Sequence, residues 1–373
     1  MRVLLAGGGL QGLSCGASLY KKHKVAVWGK SLQTDNSRFF ENCYDYVKGR
    51  EEELYELLKT EKYDVILPIS DFTVPFVSKH KGEIEERFGV KCAVPDYEQV
   101  YIVEDKSRFM LFCQQNNVPH PKTSRLSAET IEQVGDDVGF PALIKPDYSV
   151  GARGITKVIS QEDLIRQYPG ISSKYGSCTL QEFIDNKEYY YNVMLYRNKE
   201  GNILASAILK ILRMYPVGAG SSSCCITVEN EELVKICTDC LDKLNWVGMA
   251  DFDVLQRLDN GEYKIIEINA RVPASLRGAA ISGVNVPEII VNDVMGYEVP
   301  TYTYTPGKTM RYMGLDLMWF MKTPKRFGVN PSWFKFFGKD LFYQDIYKED
   351  ASTWWTWLAE GLTKISKRNK KLR

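Results

Sequence analysis

The sequence predicts an α/β protein: a Rossmann-like N-terminal unit, two α+β lobes and a C-terminal extension. Three observations carry this expectation. Val3–Ala6, a glycine run, a helix through Tyr20 and Val25–Trp28 make a βαβ opening. Helical and strand-like stretches then interleave up to about residue 300. Within them Gly248–Arg271, GMADFDVLQRLDNGEYKIIEINAR, has apolar-rich runs on both sides of Asp259-Asn260-Gly261, a strong β-hairpin signal. The expected divisions are 1–95, 96–180, 181–300 and 301–373.

Composition narrows the function classes. The 373 residues are 44% hydrophobic and 25% charged, as in ordinary soluble proteins. A net charge of +1 gives no electrostatic case for nucleic acid. No export signal or membrane-length apolar run is visible, so a cytoplasmic location is expected. Nine scattered cysteines read as reduced thiols; Cys237 and Cys240 lie in a helical pattern and read as core packing. Three histidines argue against histidine-activated nucleophile chemistry.

In residues 1–95, Gly7-Gly8-Gly9-Leu10-Gln11-Gly12 matches a dinucleotide glycine pattern. The second strand ends in Trp28-Gly29-Lys30, without the acid that binds ribose hydroxyls, so an NAD-dependent oxidoreductase is disfavoured. The glycines serve either close helix–strand packing or an anion site at the helix start. A later strand, Asp64–Pro68, runs into Ile69-Ser70-Asp71. Ligands of open parallel sheets bind beyond the carboxyl ends of strands, so Gly9, Gln11, Ser70 and Asp71 are candidates for one crevice.

In residues 96–180, Asp105-Lys106 opens a helix reaching about Asn116. Phe140–Pro146 then places Lys145 at the end of an apolar strand, where a buried ammonium calls for an anion. The loop Gly151-Ala152-Arg153-Gly154 lets backbone N–H groups approach oxyanions, although a plain hairpin loop is the alternative.

In residues 181–300, Gln181-Glu182-Phe183-Ile184 offers apolar walls to a planar base, with Glu188 six residues past Glu182. Tyr189–Tyr196 and Ile203–Leu212 alternate as paired strands, with Lys210 and Arg213 at the far end of the second. Gly218–Ser223, including Ser221, is a small-residue loop suited to closing over substrate. In the hairpin, a three-residue loop with Gly261 left-handed makes Leu258 and Glu262 the flanking pair. Counting back sets Asp253 opposite Glu267, and Asn269 shares the face of Glu267. Opposed Cβ atoms lie about 5 Å apart, so the three residues converge as hard oxygen donors suited to Mg²⁺ with substrate phosphates. A two-residue loop would turn Asp253 away. An exposed hairpin with two acids is the alternative.

The order of these motifs over residues 1–300 resembles the ATP-grasp superfamily, in its carbamoyl-phosphate-synthase-like and amino-acid ligase branch. The resemblance implies two lobes clamping ATP, with Lys106 and Lys145 on its phosphates under the Gly151–Gly154 loop. It implies an adenine hinge at Glu182, Phe183 and Ile184, Glu188 on the ribose, Mg²⁺ on Asp253, Glu267 and Asn269, and Arg271 steadying a transferred phosphoryl group. The implied activity is ATP-dependent ligation of a small-molecule carboxylate to an amine through an acyl phosphate; a nucleotide-binding protein without turnover is the alternative. Related ligases often carry arginine two positions before the first metal acid, and here that position is Asp251. Lys210 or Arg213 is then the expected substitute cation.

Residues 301–373 are rich in aromatics and receive no role from the resemblance. Trp354, Trp355 and Trp357 precede Lys364, Lys367, Arg368, Lys370, Lys371 and Arg373. That segment reads either as a helix docked on the core or as a basic foot making peripheral membrane contact. The oligomeric state stays open, a homodimer included.

Overall fold

The computed structural model describes residues 1–148, 154–186, 189–218 and 220–356. Its first sheet contains β1 (Arg2–Ala6), β2 (Lys24–Trp28), β3 (Asn42–Tyr44), β4 (Val65–Pro68) and β5 (Lys91–Cys92), in the order β3-β2-β1-β4-β5. All its pairings are parallel. Such strands are buried on both faces and read as continuous apolar runs, as Val3-Leu4-Leu5-Ala6 does. The glycine run exists because the ends of β1 and β2 touch. Gly7 N donates to Trp28 O (2.8 Å), and a Cβ on Gly8 would lie 1.8 Å from Gly29 O.

The second sheet contains β6 (Thr123–Leu126), β7 (Ala142–Pro146), β8 (Thr156–Val158) and β9 (Cys178–Glu182), antiparallel in the order β6-β9-β7-β8. The helices Ile131–Val138 and Gln161–Tyr175 cover it through Val134, Val138 and Leu164. The small-residue loop joins β7 to β8 as a hairpin. Gly151, Ala152 and Arg153 lie outside the described residues. Gly154 has φ +79°, and a Cβ there would meet Pro146 Cγ at 2.8 Å.

The third sheet contains β10 (Tyr190–Arg197), β11 (Ile203–Tyr215), β12 (Ser221–Val228), β13 (Gly248–Gln256), β14 (Tyr263–Asn269), β15 (Thr309–Arg311) and β16 (Leu341–Tyr343). Its order is β14-β13-β10-β11-β12-β15-β16. One face packs with the helix Gly9–Leu19 and the first sheet through Met194, Leu209 and Leu276. The other packs under the helices Lys106–Gln115 and Glu231–Lys243 through Phe109, Leu241 and Phe252. Cys237 and Cys240 are buried there as free thiols.

Two expectations need correction. The division at residue 300 does not hold as a structural boundary, because β15 and β16 complete the third sheet. Asp316 fastens this region from within: Arg213 Nε and Nη2 donate to its two carboxylate oxygens (2.7 and 2.9 Å), and Arg311 Nε adds a third bond (2.7 Å). The hairpin turn is also one residue longer than expected. Arg257 N donates to Glu262 O (2.9 Å), so Leu258–Gly261 forms a four-residue loop; Gly261 is left-handed as expected, at φ +77°.

Candidate active site

The three sheets meet around a cavity of about 980 Å³. Along β13, alternation sends Leu255, Asp253 and Asp251 to the cavity while Phe252 and Val254 enter the core behind. Asp253 pairs with Glu267 and Asp251 with Asn269. On the other side of β13, Asn192 of β10 pairs with Asp253 and donates from Nδ2 to its Oδ1 (2.8 Å). Ser275 Oγ donates to Asn192 Oδ1 (2.8 Å), which orients that amide.

Two lysines approach these acids. Asp105 caps its helix by accepting from Arg108 N (2.9 Å), and the following Lys106 donates from Nζ to Glu267 Oε1 (3.0 Å). Lys145, at the end of β7, is 7% exposed and donates to Gln181 Oε1. Gln181 Nε2 in turn donates to Thr123 Oγ1 (3.1 Å), so the amide turns its oxygen to the lysine. Burial lowers the Lys145 ammonium to about 8; Glu267 and Asp253 oppose that shift and Lys106 adds to it. Burial, then the charge of Glu267, pushes Asp253 up to about 7. Burial and Asp253 push Asp251 well above the carboxylate range, and its Oδ1 has no hydrogen-bond partner. These raised carboxyls mark a place where a cation would relieve an electrostatic cost.

The donor chemistry fits magnesium. Asp253, Glu267 and Asn269 supply two carboxylates and an amide oxygen, and Mg²⁺ binds through one or two carboxylates while substrate phosphates and waters complete its shell. Among the described residues no group of three or more His, Cys, Asp or Glu gathers for a metal.

The remaining predicted residues divide. Glu182, Phe183 and Ile184 line the cavity. The N–H groups of Glu182 and Phe183 are already given to Lys122 O (2.8 Å) and Pro141 O (3.1 Å), and Lys157 Nζ lies 3.4 Å from the Phe183 ring centre. Glu188 lies outside the described residues. Arg271 and Asp71 meet in the cavity, Nε to Oδ1 at 2.5 Å, and Arg271 Nη2 reaches Asn269 Oδ1 (3.3 Å). Gln11 and Ser221 also face the cavity. Gly9 and Ser70 stand behind it: Gly9 N donates to Ser31 Oγ (3.2 Å), and Ser70 Oγ caps Thr73 N (3.1 Å).

Lys210 and Arg213 do not reach this space. Lys210 pairs with Tyr191 on the opposite face of the third sheet, its Nζ 3.8 Å from the Tyr189 ring centre. Irregularities between Ile211 and Met214 then turn Arg213 inward onto Asp316. No replacement cation comes from either residue. The sequence reading also passed over Asn192, a polar residue inside an otherwise apolar strand, and took Gln181 as the start of the hinge rather than as the partner of Lys145. It passed over Tyr312, Leu315 and Gln344, by which the C-terminal extension itself walls the cavity. Trp354 and Trp355 are 53% and 73% exposed, so neither docks on the core; Trp357 and the basic residues after it lie outside the described residues.

Residues 103–275 match the model of the ATP-grasp domain. The chain is 25% identical over 236 residues to the C-terminal section of the carbamoyl phosphate synthase large chain of Methanopyrus kandleri, covering 57% of this chain and 43% of that one. It is 25% identical over 252 residues to the D-aspartate ligase of Enterococcus faecium, covering 63% and 59%. The chain thus spans less than two thirds of either relative. In structure it is similar to a biotin carboxylase from Campylobacter jejuni complexed with β,γ-ATP, at TM-score 0.69, 17% identity and 83% and 74% coverage. It is also similar to an N5-carboxyaminoimidazole ribonucleotide synthetase from Thermotoga maritima, at TM-score 0.61, 20% identity and 81% and 78% coverage. At these identities the structural likeness establishes the fold.

Proposed function

We propose that this chain, whose residues 103–275 match the ATP-grasp domain model, is an ATP-dependent carboxylate–amine ligase working through an acyl phosphate. The observation that carries this reading is Lys145: a buried ammonium on a neutral partner, in one cavity with the opposed acids Asp253 and Glu267. An anion and a divalent cation together satisfy both, and a nucleotide triphosphate with Mg²⁺ is such a pair. The sequence relatives named above are likewise a carbamoyl phosphate synthase section and an amino-acid ligase.

In this reading Lys106 and Lys145 hold phosphate oxygens, and Phe183 and Ile184 wall the base. Asp253, Glu267 and Asn269 hold Mg²⁺, which when bound neutralises charge on the β- and γ-phosphates. Arg271, steadied by Asp71, marks the acceptor end, with Gln11, Ser221 and Gln344 lining the space nearby. The substrate carboxylate attacks the γ-phosphorus and ADP departs. The amine nitrogen then attacks the acyl carbon, phosphate leaves and the nitrogen loses a proton. No side-chain nucleophile takes part, so catalysis is positioning and charge stabilisation.

The test is a screen over amino acids and other small carboxylates, with hydroxylamine in place of the amine. The expected products are ADP, phosphate and a hydroxamate. Stoichiometric AMP would replace this mechanism with adenylation, and saturable ATP binding without ADP release from any acid would favour a binder without turnover.

A further inference from the structure

The chain from Leu317 to Lys339 contains no aspartate or glutamate. Over the same stretch it carries Lys322, Lys325, Arg326, Lys335 and Lys339 among seven phenylalanines and tryptophans. The acids at its two borders are already neutralised. Asp316 is fully buried between Arg213 and Arg311, and Asp340 pairs with Lys308 (2.7 Å). The outward surface of this segment is therefore apolar and positive.

The segment is also held in shape from its inner side. Trp333 Nε1 donates to Asp316 O (3.1 Å), Arg213 Nη1 to Pro331 O (2.9 Å) and Arg311 Nη1 to Lys335 O (2.7 Å). Phe320 stacks near Trp333 with ring centres 4.2 Å apart. From this frame Phe327, Phe334 and Phe337 project, at 77%, 54% and 90% exposure, and the first two stack at 6.2 Å and 11°. Phe327 and Phe334 thus form one exposed aromatic surface, with Phe337 exposed in the same segment, and exposed apolar surface of this kind marks a contact site.

We infer that this face docks on an anionic lipid surface, with Phe327, Phe334 and Phe337 at the headgroup boundary and the surrounding lysines over acidic headgroups. A bilayer interface accepts aromatic rings and several cations together, and the buried fastening at Asp316 means little ordering is needed on contact. The contact is peripheral, since among the described residues no helix is long and apolar enough to cross a membrane. The inference is independent of the proposed ligase activity.

The experiment is sedimentation of the full chain with phosphatidylcholine vesicles, with and without phosphatidylserine, at low and high salt. Binding is expected with phosphatidylserine and should weaken as salt rises. Phe327→Ser with Phe337→Ser should lower partitioning by about tenfold or more. Lys322→Glu with Lys339→Glu should remove the salt-sensitive part. Both double variants change exposed side chains, and circular dichroism checks that they fold. Absence of binding to phosphatidylserine vesicles at low salt would overturn the inference. So would wild-type binding in both variants, which would assign the contact to the basic residues beyond 363. Binding to RNA with none to vesicles would assign the face to nucleic acid instead.

Discussion

Asp253 and Glu267 face each other across β13 and β14 although the ladder begins out of step. Next to the turn Gln256 pairs with Tyr263 and Val254 with Ile265; Ile266 is then an extra residue, and beyond it Asp253 meets Glu267. A bulge of this kind re-aims side chains at a site. Here the four-residue turn and the bulge offset one another, so the pairing a simple three-residue turn would have produced is recovered by another route. Asp253→Asn should cut the gain in ATP affinity on adding Mg²⁺ by about 1.5–3 kcal/mol, roughly ten- to hundred-fold. Calorimetric titration with and without Mg²⁺ reads this, and an unchanged gain would remove Asp253 from the cation site.

Lys145→Met should weaken nucleotide binding by about 1.5–3 kcal/mol, the worth of a charged hydrogen bond, and leave the fold intact. Equal ATP affinity in mutant and wild type would show that the phosphates are held elsewhere.

The same residue makes a pH prediction. Burial lowers the folded-state Lys145 to about 8, while the unfolded ammonium keeps its ordinary, higher value. Between these values the unfolded chain binds more protons, so this group adds stability as pH rises and its burial cost is fullest below about 8. Without nucleotide, Lys145→Met should therefore be more stable than wild type at pH 7, by an amount on the order of 3 kcal/mol. The advantage should shrink toward pH 10.5. Urea midpoints at several pH values measure it, and a constant difference would contradict the buried charge.

Arg213→Met should destabilise by about 3–5 kcal/mol, because Asp316 loses its bidentate partner while remaining buried. The folded fraction should bind ATP as wild type does. Full stability with abolished ADP release would instead return Arg213 to the chemistry.

Gly8→Ala separates packing from ligand binding in the glycine run. The new Cβ would lie 1.8 Å from Gly29 O, a backbone atom, so β1 and β2 must part. A loss of at least about 1–3 kcal/mol is expected in thermal or urea unfolding. A stable variant with altered ligand affinity would favour an anion site at the helix start.

Local chemistry by itself determined the elements. Apolar runs between glycine turns made the parallel first sheet, Asp105 made a helix cap, and the alternation around Asp259–Gly261 made the hairpin. It also singled out Lys145, because an ammonium at the end of an apolar strand is visible without knowing its neighbours. These signals span a few residues, which is the range over which backbone preference and hydrophobic periodicity act.

Only the tertiary structure decided which charges share a space. Lys210 and Arg213 lie three residues apart, yet one rests on the Tyr189 ring behind the sheet and the other is buried on Asp316, 103 residues away. The irregularity in β11 breaks the alternation that would have placed them by counting. The C-terminal extension became part of the cavity by the same kind of contact, when β15 paired with β12 and carried Tyr312, Leu315 and Gln344 to its wall. Strand pairing between distant segments depends on how whole faces bury one another, and that information is spread over the chain rather than written in any one stretch of it.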